Sequence, residues 1–237
     1  MVDMGSTTIL SKNSKLDRDG DYLLTGIQLS AGSSKVCPWA GECKKLCLNT
    51  SFFLKQKNSV KAQQKRTSLW FNNRDQFLLR FKYELMKKVF EAVEKGKKGV
   101  RVRANTLSDI PELHDACREA SREVEKATGV AEGFIEGYEY TKNPREHRPN
   151  YVYSFNEKTT EDDFHWNITR RNIAVVFDTK PSKELPKFWR GYEVIDGDKS
   201  DDRLSDPKQK GLIIGLRAKA DARKADSPFI VKTKGLA

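Results

Sequence analysis

Between Ser59 and Lys95 apolar residues recur every three to four positions. Phe77/Leu78, Phe81, Leu85, Val89 and Val93 fall on one face of a helix. The segment predicts two helices broken near "NNRD", with Asp75 as an N-terminal charge on the second and Gly96 and Gly99 ending it. Upstream, "YLLTGIQL" (Tyr22–Leu29) reads as a first strand that runs into a cysteine-bearing loop. The first twenty residues are polar and irregular and read as a flexible arm.

Downstream of Gly99 the pattern shifts to short apolar runs. "GVRVRA" (Gly99–Ala104) is followed by a predicted helix from Pro111 to Ala127. Then come "GFIEGYEY" (Gly133–Tyr140), "YVYSF" (Tyr151–Phe155), "IAVVF" (Ile173–Phe177), "YEVID" (Tyr192–Asp196) and "GLIIGL" (Gly211–Leu216). Runs of this length, bounded by turn residues and interleaved with helices, predict a mainly parallel sheet with helices outside. The expected class is α/β. About six to seven strands suit a partial, open parallel β/α barrel, TIM-barrel-like, with a doubly wound sheet as the alternative. We expect an arm over 1–20 and one partial-barrel domain over 21–237.

Polar residues follow these runs directly. Asn105, Ser108 and Asp109 follow the second strand, and Thr141 and Lys142 the third. Ser154, Asn156 and Glu157 close the fourth, Asp178 follows the fifth, and "DGDKSDDR" (Asp196–Arg203) the sixth. In a parallel α/β fold these positions lie at the carboxyl ends of strands, where such folds place their sites. A structural reading stands beside the functional one. Asp109 would cap the next helix, Asp196-Gly197-Asp198 would be a turn, and Asp201 would pair with Arg203.

Charge changes the picture in one region. The 237 residues carry a net charge of +11, and Lys57–Arg103 alone holds fourteen Lys/Arg against four Asp/Glu. A basic block of this kind suits a nucleic acid or another polyanion, or else a solvated helix face. No apolar run approaches the ~18 residues of a spanning helix, so the expectation is a soluble, intracellular protein. A P-loop, a GxSxG elbow and an HExxH helix are all missing, which removes the phosphate-cradling, serine-hydrolase and zincin classes.

The most pointed chemistry is "CPWAGECKKLC", with Cys37, Cys43 and Cys47 spaced Cys-x5-Cys-x3-Cys. A closed zinc site normally shows paired knuckles or two cysteines with two histidines, and His114, His147 and His165 are scattered. Three thiolates on one loop suit a [4Fe–4S] cluster whose fourth iron takes a non-cysteine ligand. Zinc and reduced free thiols are the alternatives. Lys44 and Lys45 would offset the cluster's negative charge. Cys117, on the predicted 111–127 helix, reads as a small buried residue.

"VCPWAGECKKLCLNT", "VRVRANTLSDIPE", "YEYTKNP", "NYVYSFNE", "IAVVFD", "VIDGDKSDDRLSDP" and "GLIIGLRAKADARK" resemble, in order, the blocks of the bacteriophage gene product 88 family. The resemblance implies a phage or prophage protein working in the cytoplasm of an infected bacterial host. The layout also resembles the radical S-adenosylmethionine partial barrels, which carry a three-cysteine loop after the first strand. The cysteine spacing differs from theirs, and "NTLSDIPE" stands where they carry a glycine-rich element.

That second resemblance implies an iron–sulfur enzyme, with S-adenosylmethionine as a candidate cofactor and a nucleotide or nucleic acid as candidate substrate. Asn105, Ser108, Asp109, Lys142 and Glu157 are the candidate catalytic residues. Ser154, Asn156, Asp196, Asp198 and Arg203 are the candidate cofactor-binding residues, with Asp196, Asp198 and Asp201 as an alternative Mg²⁺ site. The competing reading is a non-catalytic DNA- or RNA-binding phage protein in which the metal only fixes the loop.

Overall fold

A computed structural model describes residues 7–11, 20–47 and 56–234. These residues form two compact units. One holds the described residues up to 30 together with 56–139, and the other holds 31–47 with 140–234. Of the expected arm, residues 1–6 and 12–19 lie outside the described residues.

The first unit contains β1 (Leu10–Ser11), β2 (Tyr22–Ile27), α1 (Lys57–Asn72), α2 (Arg74–Glu94), β3 (Gly99–Arg103), α3 (Pro111–Thr128) and β4 (Ile135–Gly137). Its sheet runs β1-β2-β3-β4, with β2, β3 and β4 parallel and β1 antiparallel to β2. Parallel neighbours need long crossovers. Here α1 and α2 supply the first and α3 the second.

The α1–α2 break sits at Asn73, whose side chain accepts the Gln76 N–H and so caps α2. Phe77, Phe81, Leu85, Val89 and Ala92 then give α2 a fully buried stripe. Pro111 starts α3, and Gly129, at φ 71°, ends it in the left-handed conformation.

Part of the segment read as an arm is docked. Ile9 and Leu10 are buried, and their N–H groups donate to the Glu84 carboxylate on α2. Burial pushes the Glu84 carboxyl up, against the two backbone N–H groups and Arg66.

The second unit takes β5 (Glu139–Thr141, of which Glu139 still belongs to the first unit), β6 (Tyr151–Ser154), α4 (Glu161–Ile168), β7 (Ile173–Phe177), β8 (Phe188–Trp189), β9 (Tyr192–Asp196) and β10 (Ile213–Arg217). The sheet order is β5-β6-β7-β10-β9-β8; β6, β7, β10 and β9 are mutually parallel, and β8 is an antiparallel edge. The β8–β9 turn places Arg190 (φ 51°) and Gly191 (φ 80°) in left-handed conformations, as a two-residue hairpin loop requires. One face of the sheet buries an aromatic core of Tyr153, Phe164, Phe177 and Trp189 with Ile173, Val175 and Ile213. Trp189 meets Phe155, Phe164 and Phe177 edge-on, with ring centroids 5.0–6.2 Å apart.

The α/β class and the mainly parallel pairing agree with the sequence reading. A single barrel does not emerge from the hydrogen bonding, because the described strands form two mixed sheets with no closed ring. The run Gly133–Tyr140, read as one strand, is two strands with different neighbours. Ile135–Gly137 ladders with β3, and Glu139–Thr141 lies next to β6. Helix α4 and the β8 edge carry too few apolar repeats to stand out in sequence. None of the described helices is long and apolar enough to cross a membrane.

Gly99 sits where the backbone of Phe134 comes closest to β3, and a Cβ there would collide with the Phe134 carbonyl oxygen. Gly99→Ala is expected to destabilise the protein by about 1–3 kcal/mol, the usual penalty of overpacking. A chemical denaturation curve with an unchanged midpoint would refute this.

Candidate functional site

The cysteine loop is built into the second unit. Val36 is buried beneath it, and the N–H groups of Val36 and Cys37 donate to the Ser33 carbonyl in a tight turn. Residues Glu42–Lys44 form one 3₁₀ turn. Leu46 then packs on Ala218, Ala222 and Ile230, which lie beyond β10.

The middle of the loop is held by Glu157, three residues past the end of β6. Its Oε1 accepts the Glu42 N–H at 2.8 Å. Gly41 lies so close that a Cβ there would collide with the same carboxylate and force the Glu157 side chain to move. The other oxygen, Glu157 Oε2, is buried and accepts no hydrogen bond from the described residues. Cys37, Cys43 and Cys47 are each partly exposed, and none of the chain's four cysteines is in a disulfide. Among the described residues no three His, Cys, Asp or Glu side chains are gathered as a metal-holding group.

The neighbouring strand-end residues are occupied by local bonds. Asn156 Oδ1 accepts the Lys158 N–H, its Nδ2 donates to the Ser154 carbonyl, and its own N–H donates to Thr159 Oγ1. This network shapes the exit from β6 that presents Glu157. Lys142 Nζ lies 5.9 Å from the centroid of the Phe229 ring.

Asp196 and Asp198 form the turn that the structural reading anticipates, with the Asp198 N–H donating to Asp196 Oδ1. Both carboxylates are paired with cations. Arg217 Nη1 lies 2.9 Å from Asp196 and 3.3 Å from Asp198, and Lys219 bonds Asp198 as well. Burial works to raise the Asp196 carboxyl, but Arg217 and the Asp198 N–H outweigh it and hold it below the usual range. The same contacts push the Arg217 guanidinium up.

Asn105, Ser108 and Asp109 belong to the first unit. Asn105 Oδ1 accepts both the Ile110 N–H at 3.0 Å and the Ser108 hydroxyl at 2.6 Å, which fixes the approach to α3. The residue at the head of α3 is Ile110, one position past the Asp109 to which the sequence pointed as the cap. The Asn105 N–H donates to Glu139, a fully buried carboxylate that also lies 3.1 Å from His114 Nδ1. This Glu139–His114 pair has no signal in sequence, because its two members are 25 residues apart on different elements. Cys117 is buried as expected, and burial together with Glu139 pushes its thiol well up.

Arg203 is displaced from the strand-end group. It lies 3.6 Å from Asp206 and lines a cavity with Tyr151 and Asn172, at the amino ends of the strands, away from the cysteine loop.

The basic block is partly consumed inside the first unit. Arg66, Arg80 and Arg101 are buried. Arg66 and Arg80 donate to the carbonyls of Thr8, Gln28 and Thr7, and Arg101 stacks 3.5 Å over the Tyr22 ring. Lys82, Lys88, Lys95 and Lys98 each pair with a carboxylate. Less of the local +10 is therefore available to an external polyanion than the count suggests.

Three soft sulfur donors on one short, anchored loop are ligands suited to iron or zinc. The carboxylate that anchors the loop keeps one buried oxygen without a hydrogen-bond donor among the described residues. No curated protein and no solved structure matches the chain. A family model described as gene product 88 matches residues 5–233. That span takes in the cysteine loop and every strand of both sheets, and the chain belongs to the gene product 88 family.

Proposed function

We propose that Cys37, Cys43 and Cys47 hold a [4Fe–4S] cluster and that the protein is an iron–sulfur enzyme of the radical S-adenosylmethionine type, acting on a nucleotide or nucleic acid in the cytoplasm of an infected host. The carrying observation is the anchorage of the three-thiol loop by Glu157 at the carboxyl end of parallel strands. In parallel α/β folds this is where sites are built. The partial-barrel reading is part of the proposal and rests on the parallel sets β2–β3–β4 and β6–β7–β10–β9, with helical crossovers between β2 and β3, β3 and β4, and β6 and β7.

The donor types suit the group: three thiols outside any disulfide, which among the described residues are not gathered and which binding would draw together, and a buried Glu157 Oε2 that lacks a partner. When bound, such a cluster supplies an open iron that binds and polarises a ligand such as S-adenosylmethionine. The chain's own contribution is positional. Glu157 fixes the loop through the Glu42 N–H, and its second oxygen is available to an amino group on a bound ligand. Asn156 holds the turn that presents Glu157, and Lys44 offsets part of the charge of the thiolates while Lys45 is paired with Glu42.

The net charge of +11 favours one competing reading, a non-catalytic nucleic-acid binder whose loop is closed by zinc. Metal analysis of protein purified without oxygen separates the two. About four iron and four sulfide per chain are expected, falling sharply in Cys37→Ser, Cys43→Ser or Cys47→Ser. A colourless protein with one zinc per chain would overturn the enzyme reading and leave the binder, whose affinity would fall steeply with salt.

The clamp predicts a second outcome in metal-free protein. Three thiols are expected to react with a disulfide reagent in the native state, and Cys117 only after unfolding. Glu157→Ala should raise the loop thiols' rate by roughly tenfold, the factor set by losing a charge-assisted hydrogen bond. Equal rates in the two proteins would dismiss the clamp.

A further inference from the structure

A cavity of about 440 Å³ lies at the opposite end of the second unit's sheet from the cysteine loop. Its walls come from the amino ends of parallel strands. Tyr151 opens β6, Asn172 immediately precedes β7, and Gln209 stands on the approach to β10. Into this space the chain brings Arg148, Arg170, Arg171 and Arg203.

Two of these guanidiniums are buried with donors left over. Arg171 is 8% exposed; its Nη2 donates to the Glu146 carbonyl at 2.6 Å, while Nε and Nη1 have no hydrogen-bond partner among the described residues. Arg203 is 4% exposed; its Nη2 donates to the Ser200 carbonyl, its Nη1 lies 3.6 Å from Asp206, and its Nε has no partner. Buried donors are ordinarily satisfied, so leftover ones on two arginines in one cavity point to a ligand.

The charge is also unbalanced. Three carboxylates stand against the four guanidiniums: Glu146 paired with Arg148 at 2.6 Å, Asp206 beside Arg203, and Asp202 near Asp206. Trp166, on the cavity wall, braces the cations: the Arg170 and Arg171 guanidiniums lie 4.7 and 5.4 Å from its ring centroid.

We propose that this cavity binds the phosphate group of a ligand of mononucleotide size, held by the unused N–H donors of Arg171 and Arg203. Arginine's planar fork suits phosphate oxygens, and an anion answers the remaining positive charge. A free nucleotide and the 5′-phosphate end of a single strand present the same chemistry. The site stands apart from the cysteine loop and requires no metal there.

Titration calorimetry on the full chain at low salt tests this. The probes are inorganic phosphate, a nucleoside monophosphate, the matching nucleoside, and a short oligonucleotide with a 5′-phosphate or a 5′-hydroxyl. The monophosphate is expected to bind about tenfold or more tighter than the nucleoside, and Arg171→Lys and Arg203→Lys are each expected to lose about tenfold, since an ammonium cannot replace the fork.

Should either variant fail to fold by circular dichroism, Arg170→Gln on the exposed rim carries the test, with an expected loss of about threefold. Preference for the phosphorylated oligonucleotide over the nucleotide assigns the strand end as the ligand, and the reverse preference assigns the free nucleotide. Two results overturn the proposal. One is no phosphate-dependent binding by any probe up to about 10 mM, a limit near the weakest specific affinities. The other is binding that the arginine variants leave unchanged.

Discussion

Parallel strands covered on both faces leave the peptide groups of their end loops short of water, and each such group needs a partner. In this protein short polar side chains supply many of them. Asn105 and Glu139 do so after β3, Asn156 and Glu157 after β6, and Asp196 and Asp198 after β9. Asp178 does the same after β7, where it accepts the Thr233 N–H. Glu157 differs in what it reaches. Its bond crosses 115 positions of sequence to a backbone N–H in the cysteine loop, so one carboxylate satisfies a peptide group and ties the middle of that loop to the exit from β6.

This requirement explains how the chain could be read and where reading stopped. Ile173–Phe177 stood out as a strand because an unbroken apolar run bounded by polar turns has few other solutions, and Tyr192–Asp196 through its β-branched Val194 and Ile195 between turn residues. Helix α2 was legible through its buried stripe, and its start could be placed near "NNRD" because Asn73 is an N-cap. The split of Gly133–Tyr140 was hidden, since which neighbour a strand joins depends on distant chain. Among candidate site residues, polarity after a strand correctly located the strand ends. It could not separate a side chain that serves its own loop, such as Asn156, from one that reaches across, such as Glu157.

Charge is only partly legible in a similar way. The densest block of Lys and Arg supplies buried guanidiniums that tie the first unit's own backbone together, as Arg66 does with Thr8 and Gln28. Arg148, Arg171 and Arg203 are dispersed over 56 residues with acidic neighbours between them. They amount to no cluster in sequence, yet the fold of the second unit gathers them in one cavity. Burial raises the electrostatic weight of each charge there above that of any exposed lysine.

The two units are interleaved along the chain. The cysteine loop precedes α1, yet the surface it packs on includes Glu157, Ala218 and Ile230. On a ribosome the thiols therefore emerge well before their resting place has been made. At roughly 5–20 residues per second, they wait on the order of 10–40 s. During that interval the loop is without the Glu157 clamp and the surface under Leu46, so its thiols move freely before they settle, still partly exposed, in the finished fold.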